Sequence, residues 1–260
     1  MKRLKTRGML MGMFVLLITF AFTTTADARK ILKGGKHAAE EWYVLTYDAA
    51  GNILELDVTP IHKNKGISFD FYHTPDRAML LTELDSSKKK PHPGNFTGKT
   101  LSADIAIEAT HGATFNYFNN DGTGSLQDGW ADPGGFVRLY FNKVNTPDCP
   151  TGWHPERPDC EAQYWWSNPV HIDLADLAAL GSKGIKLEVP LDPEFWSDRD
   201  GHMGTDTTSN TVNHIDAFYA AVANVHKIGL SFGGDGWWAF GCGVNDPGAA
   251  TFKLYKFMGK

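Results

Sequence analysis

The chain has 260 residues, 42% hydrophobic and 21% charged, with a formal net charge of −5. That length suits one large core, or one core with a small appendage, and the mild acidity excludes a general attraction to nucleic acid or to anionic membrane surfaces. Sixteen Phe, 8 Tyr and 8 Trp stand beside 27 Gly and 13 Pro, a composition of many short strands joined by tight loops rather than of a helical bundle.

At the start, Lys2, Arg3, Lys5 and Arg7 precede an apolar run from Met9 to Phe22, and Ala26-Asp27-Ala28 forms a small-x-small cleavage motif. The apolar run is shorter than the ~20 residues a spanning helix needs. Residues 1–28 therefore read as a cleaved secretory signal, with no membrane span after cleavage and an expected location that is secreted, periplasmic or at the cell surface. A basic lead-in follows, then a hairpin signature, with strand-like runs at 41–48 and 53–58 about Gly51-Asn52. Further strands are predicted at 67–73 and 79–84, and 85–94 is a polar, proline-punctuated connector. Residues 29–90 are thus expected either to form a hairpin extension or to add strands to a sandwich domain spanning 91–260.

From Asn95 onward, alternating patterns predict strands at 101–108, 114–118, 136–142, 163–167 and 186–191, with short helices at Leu174–Leu180 and Val212–Val225, the latter capped by Asn210 or Thr211. In Phe136–Asn142, Val137, Leu139 and Phe141 share one face, and Phe136, Arg138 and Tyr140 the other. A strand at 227–232, a glycine-rich loop carrying Trp237, Trp238 and Phe240, and a strand at 251–257 close the pattern; Phe252, Leu254 and Phe257 point inward there and Lys253 and Lys256 outward. No period of 20 to 50 residues repeats, which argues against a propeller or solenoid.

Aromatic residues give the strongest chemical signal. Trp165-Trp166 and Trp237-Trp238 are adjacent pairs, so within a strand one ring of each can fill the core while the other faces away. Such outward rings stack on the C–H face of a sugar while nearby Asp, Asn, Gln or Arg pair with its hydroxyls. Two loops, 119–129 and 198–206, are dense in oxygen-bearing side chains and could hold a structural Ca2+. The first lacks the acidic twelfth residue of an EF-hand, where Trp130 stands. Cys149 and Cys160 bracket a loop with three prolines; export makes a disulfide the better reading than zinc, because only His154 lies between them, and Cys242 is left over. The sequence contains no G-x-S-x-G elbow, H-E-x-x-H helix, P-loop or dinucleotide fingerprint. Carboxylate pairs such as Glu188 with Asp192, or Asp198 with Asp200, are open to glycoside hydrolysis but discriminate nothing. The histidines fall at no i, i+2 or i, i+4 spacing to one another, so a histidine metal site would have to be assembled in three dimensions.

From about Asn95 to Phe257 the order of motifs, FTGKTLSADIAIE, FVRLYFN, YWWSNPVHIDL, KLEVPLDPEFWSDRDG, NVHKIGLSFGGDGWWAFGCGV and TFKLYKF, resembles bacterial exported β-sandwich domains of the galactose-binding-like and carbohydrate-binding-module group. The resemblance implies a mainly β fold, a jelly-roll-like antiparallel β-sandwich with one or two short helices, and attachment to a glycan or cell surface as its role. It brings no catalytic motif. On a sandwich, the binding face is expected to use Arg138, Tyr140, Trp165, Trp237 and Trp238, with Asp198, Asp200 and Asp235 as polar partners. A glycosidase or polysaccharide lyase, and a structural or protein-interaction domain, are the alternatives.

Overall fold

The structure, a computed structural model, describes residues 29–32, 38–47, 52–84, 94–118, 131–143, 160, 163–207, 212–234 and 241–260. In chain order its strands begin with β1 (Arg29–Leu32), β2 (Trp42–Tyr47), β3 (Ile53–Asp57), β4 (Thr59–Pro60), β5 (Ile67–Phe71), β6 (Met79–Glu83), β7 (Thr100–Ala109) and β8 (Phe115–Phe118). They continue with β9 (Ala131–Pro133), β10 (Phe136–Lys143), β11 (Tyr164–Ser167) and β12 (Ile172–Asp173), then helix α1 (Leu174–Leu180), β13 (Ile185–Pro190) and β14 (Trp196–Ser197). Helix α2 (His214–Val222), β15 (Val225–Gly233), β16 (Cys242–Val244) and β17 (Ala250–Gly259) complete the described elements.

These strands form a mainly β, antiparallel sandwich. One sheet of six strands runs β13-β7-β17-β5-β4, with β1 also on β17; a second of eight runs β14-β11-β10-β15-β6-β2-β3, with β12 on β10; β16-β8-β9 make a small third sheet. Strands from residues 29–90 enter both large sheets: β1, β4 and β5 join the first, while β2, β3 and β6 join the second. Both sheets therefore draw on both sides of the proline-punctuated connector, residues 85–93 of which lie outside the described residues.

Period-two alternation places the core. In β2, Trp42, Val44 and Thr46 are buried and Tyr43, Leu45 and Tyr47 half-buried. Across the sandwich, Phe69, Phe71 and Phe252 of the first sheet meet Phe232 of the second at centroid distances of 5.4, 5.7 and 4.9 Å. In β17, Phe252, Leu254 and Phe257 all point inward, although strict alternation cannot put both 254 and 257 on one face. A bulge between Leu254 and Lys256 restores the parity. Opposite it, Gly66 packs so closely that a Cβ there would meet the Leu254 carbonyl oxygen at 2.2 Å.

The helices follow local chemistry. Helix α1 has the expected bounds, and the Asp173 carboxylate caps it by accepting the Ala175 and Asp176 N–H groups at 2.6 and 3.4 Å. Helix α2 is shorter than the predicted Val212–Val225. Its cap is Asn213, whose side chain accepts the Asp216 N–H, and Val225 already belongs to β15. A cap at 213 leaves no helical role for Val212, and the pairing of Val225 with Lys143 ends the helical path at the other side. Among the described residues no helix is long and apolar enough to cross a membrane.

Candidate ligand-binding face and side-chain clusters

The register of β10 with β11 decides what each face of the larger sheet carries. Tyr140 lies opposite Trp166 and Phe141 opposite Trp165. Phe141 and Trp165 turn into the core, where Phe141 packs on Trp196 at 4.9 Å and Trp165 on Phe218 at 5.0 Å. On the opposite face, pairings across five strands set Tyr43, Leu81, Gly229, Tyr140 and Trp166 in one rank. Gly229 brings no side chain to the middle of that rank, and Leu81, Tyr140 and Trp166 form a second apolar cluster, with Tyr43, Leu45, Met79 and Tyr164 packed around it. The Tyr140 and Trp166 rings lie 5.1 Å apart, and the indole N–H of Trp166 donates to Ser231 Oγ at 2.9 Å.

Around this aromatic floor stands an ionic rim. Lys227 Nζ lies 3.2 Å from Glu83 Oε1 and 5.8 Å from the Tyr43 ring centroid, and the Arg199 guanidinium is 5.8 Å from the Tyr164 ring. Burial raises the Tyr43 phenol above its ordinary pKa despite Lys227, and raises Tyr47 despite Arg199; burial pushes Tyr140 well up, helped by the neighbouring tyrosines. Burial opposes the Lys227 ammonium, but Tyr43 and Glu83 outweigh it and hold its pKa above the ordinary lysine value. The rim of this cluster thus carries the half-buried Tyr43, Tyr47 and Tyr164 rings, the Lys227 ammonium beside Glu83, and the Arg199 guanidinium.

The residues expected to bind ligand are dispersed by the structure. Arg138 and Tyr140 do lie on this face, but both are covered, at 1% and 3% exposure. Arg138 Nε donates to Asn168 Oδ1 at 2.9 Å and Nη1 to the Gly234 carbonyl at 2.7 Å, so it ties the residue after β15 to the segment after β11. Trp165 is a correction. Its ring is fully buried in the main core, and Trp166, on the opposite face of the sheet, is buried too, at 2% exposure in the second apolar cluster. Asp198 is another correction, being buried and turned toward two histidines rather than toward the aromatic face, with half-buried Asp200 donating its backbone N–H to it. Asp235, Trp237, Trp238 and Cys149 lie outside the described residues, as does the 119–129 loop.

Sequence reasoning missed Tyr43, Tyr47, Tyr164, Trp166, Glu83, Lys227 and Arg199. The available signal was WYVLTY in β2, which is apolar or aromatic at both parities and so belongs to a strand with no plainly solvated face.

Two further features lie elsewhere. Where β5, β7 and β17 meet, a cavity of about 570 Å3 is lined by Asp70, Tyr72, Glu108, Thr110 and Thr251 among others. Its acids are engaged, since Thr251 Oγ1 donates to Asp70 Oδ1 at 2.6 Å and Lys253 Nζ lies 2.5 Å from Glu108 Oε1. Beside β14, Asp198, His202 and His214 converge, with Asp198 Oδ2 2.9 Å from His214 Nδ1, Oδ1 3.6 Å from His202 Nδ1, and the imidazole rings stacked at 4.4 Å. The Asp198 carboxyl sits above its ordinary pKa because burial outweighs the nearby histidines.

No protein-family model matches the sequence, and no curated protein matches it. Among solved structures, the chain is similar to a xylan-binding module, CBM15, at 8% identity and a TM-score of 0.37, over 87% of this chain and 95% of that one. It is also similar to the L4b domain of human laminin alpha-2, at 13% identity and a TM-score of 0.38, over 89% and 96% of the two chains. A third similar structure is CtCBM11, at 11% identity and a TM-score of 0.34, over 92% and 90%.

Proposed function

We propose that the protein is an exported, non-catalytic glycan-binding protein whose ligand lies along the outer face of the eight-stranded sheet. The observation that carries this reading is the set of half-buried rings Tyr43, Tyr47 and Tyr164, packed over or beside buried Leu81, Tyr140 and Trp166 and edged by the Lys227–Glu83 pair and Arg199. An aromatic file with charged groups at its edge suits a chain of sugars, which presents alternating apolar faces and hydroxyls.

The test is binding of the purified protein to a polysaccharide panel, read by tryptophan fluorescence. A saturable response is expected, weakened about tenfold, or about 1.4 kcal/mol, by Tyr164→Ala or Tyr43→Ala in proteins with unchanged circular dichroism. A flat response across the panel from folded protein would sink the reading. Release of new reducing or unsaturated ends from a bound polysaccharide would instead favour the glycosidase or lyase alternative.

Export also sets the cysteine chemistry. In this reading Cys149 and Cys160 are joined, a ring worth about 3 kcal/mol, and Cys242 stays a thiol. Cys242 is buried, which pushes its pKa far above the ordinary thiol value despite Arg138 nearby, so almost no thiolate forms near neutrality. Native protein is expected to resist thiol reagents. Unfolded protein should show one reactive thiol before reduction and three after, and three without reduction would refute the disulfide.

A further inference from the structure

We propose that Asp198, His202 and His214 form a binding site for a first-row divalent cation of the zinc class. One donor atom from each residue lies within 4.8 Å of the others. Donors at zinc bond lengths of about 2.0–2.1 Å in a tetrahedron stand about 3.3 Å apart; Asp198 Oδ2 and His214 Nδ1 lie 2.9 Å apart, and His202 Nδ1 lies 3.6 Å from the other carboxylate oxygen, Oδ1. Neither ring nitrogen of His214 makes a hydrogen bond, although the side chain is only 2% exposed. Its Nδ1 approaches the Asp198 carboxylate closely enough to bond but off the line of a hydrogen bond, as two donors do when they face a common third point. A buried imidazole left this way is costly, and a cation at that point satisfies it.

The surroundings support the same reading. The N–H groups of Asp200 and His202 donate to Asp198 Oδ1 at 3.0 and 2.9 Å, which fixes the carboxylate from behind while Oδ2 faces His214. His202 is the solvent-side member, its side chain 25% exposed against 1–2% for the other two, so it offers an entry path and an open position for water. Two imidazoles and one carboxylate select against calcium, which takes oxygen ligands, and suit zinc and its neighbours. The ion expected for the 198–206 loop thus changes class. His214 begins α2, whose positive end disfavours a cation, and the Asp198 charge opposes that effect. Bound metal would tie the turn after β14 to the start of α2.

Untagged, chelator-treated protein titrated with zinc chloride is expected to take up one ion per chain saturably. At a hundredfold excess over the dissociation constant the unfolding midpoint should rise by about 5–10 °C, while calcium leaves it unchanged. Co2+ in place of zinc should give the strong visible bands of a low-symmetry, nitrogen-containing site. His202→Asn, at a partly exposed position that keeps the fold, and His214→Gln should each weaken zinc binding at least thirtyfold; His111→Asn, at an exposed loop position, should not. No saturable uptake by the native protein, or unchanged affinity in His202→Asn, would overturn the assignment.

Discussion

Phe252→Ala is expected to cost about 4 kcal/mol and to lower the unfolding midpoint by about 8–16 °C. The ring is fully buried in the middle of β17 and touches both sheets: it stacks on Phe69 at 5.4 Å and meets Phe232 edge-on at 4.9 Å. Removing it deletes apolar burial and leaves a cavity between sheets whose backbones are held by their own ladders and cannot collapse onto it. Phe252→Leu retains most of the volume and should lose less than half as much. Differential scanning calorimetry decides the matter. A loss under 1 kcal/mol for the alanine variant would mean that the Phe69, Phe71, Phe232 and Phe252 cluster does not hold the sheets together.

A loss of about 3–5 kcal/mol is expected for Arg138→Met, on different grounds. The methionine fills similar space but leaves Asn168 Oδ1 and the Gly234 carbonyl without the charged donor each receives; hydrogen bonds to a charged group are worth roughly 1.5–3 kcal/mol apiece. Arg138→Lys should not rescue, because one ammonium cannot reproduce a planar fork directed at two acceptors. Urea denaturation of the two variants is the check. If Arg138 were instead a solvated surface cation, both would remain within about 0.5 kcal/mol of the parent.

Much of the sandwich is legible in the sequence, because alternation along strands such as 136–142 and the edges of Leu174–Leu180 are fixed by neighbours in the chain. What failed was set by partners distant in sequence. Trp165 and Trp166 are indistinguishable until β10 is laid against them; the Phe141↔Trp165 register, not the pair itself, chooses the core member. Phe257 turns inward only because of the bulge after Leu254, beside which Gly66, just before β5, packs closely. His214 has no metal-like spacing to any histidine. It meets Asp198 because Asn213 starts α2 where it does, while the Asp198–His202 spacing of four, in a loop, was visible and went unused.

The position of β17 also bears on how the protein comes to be folded. It fills the slot between β7 on one side and β5 and β1 on the other, and all three partners are synthesised well before it. Until residues 250–259 are available, β5 and β7 each present a row of unsatisfied backbone groups that another chain could capture. Long-range pairing of this kind is slow, on the millisecond-to-second scale or beyond. The first sheet therefore assembles around its latest strand, and a chain interrupted upstream of Ala250 would be left sticky along two edges rather than merely shorter.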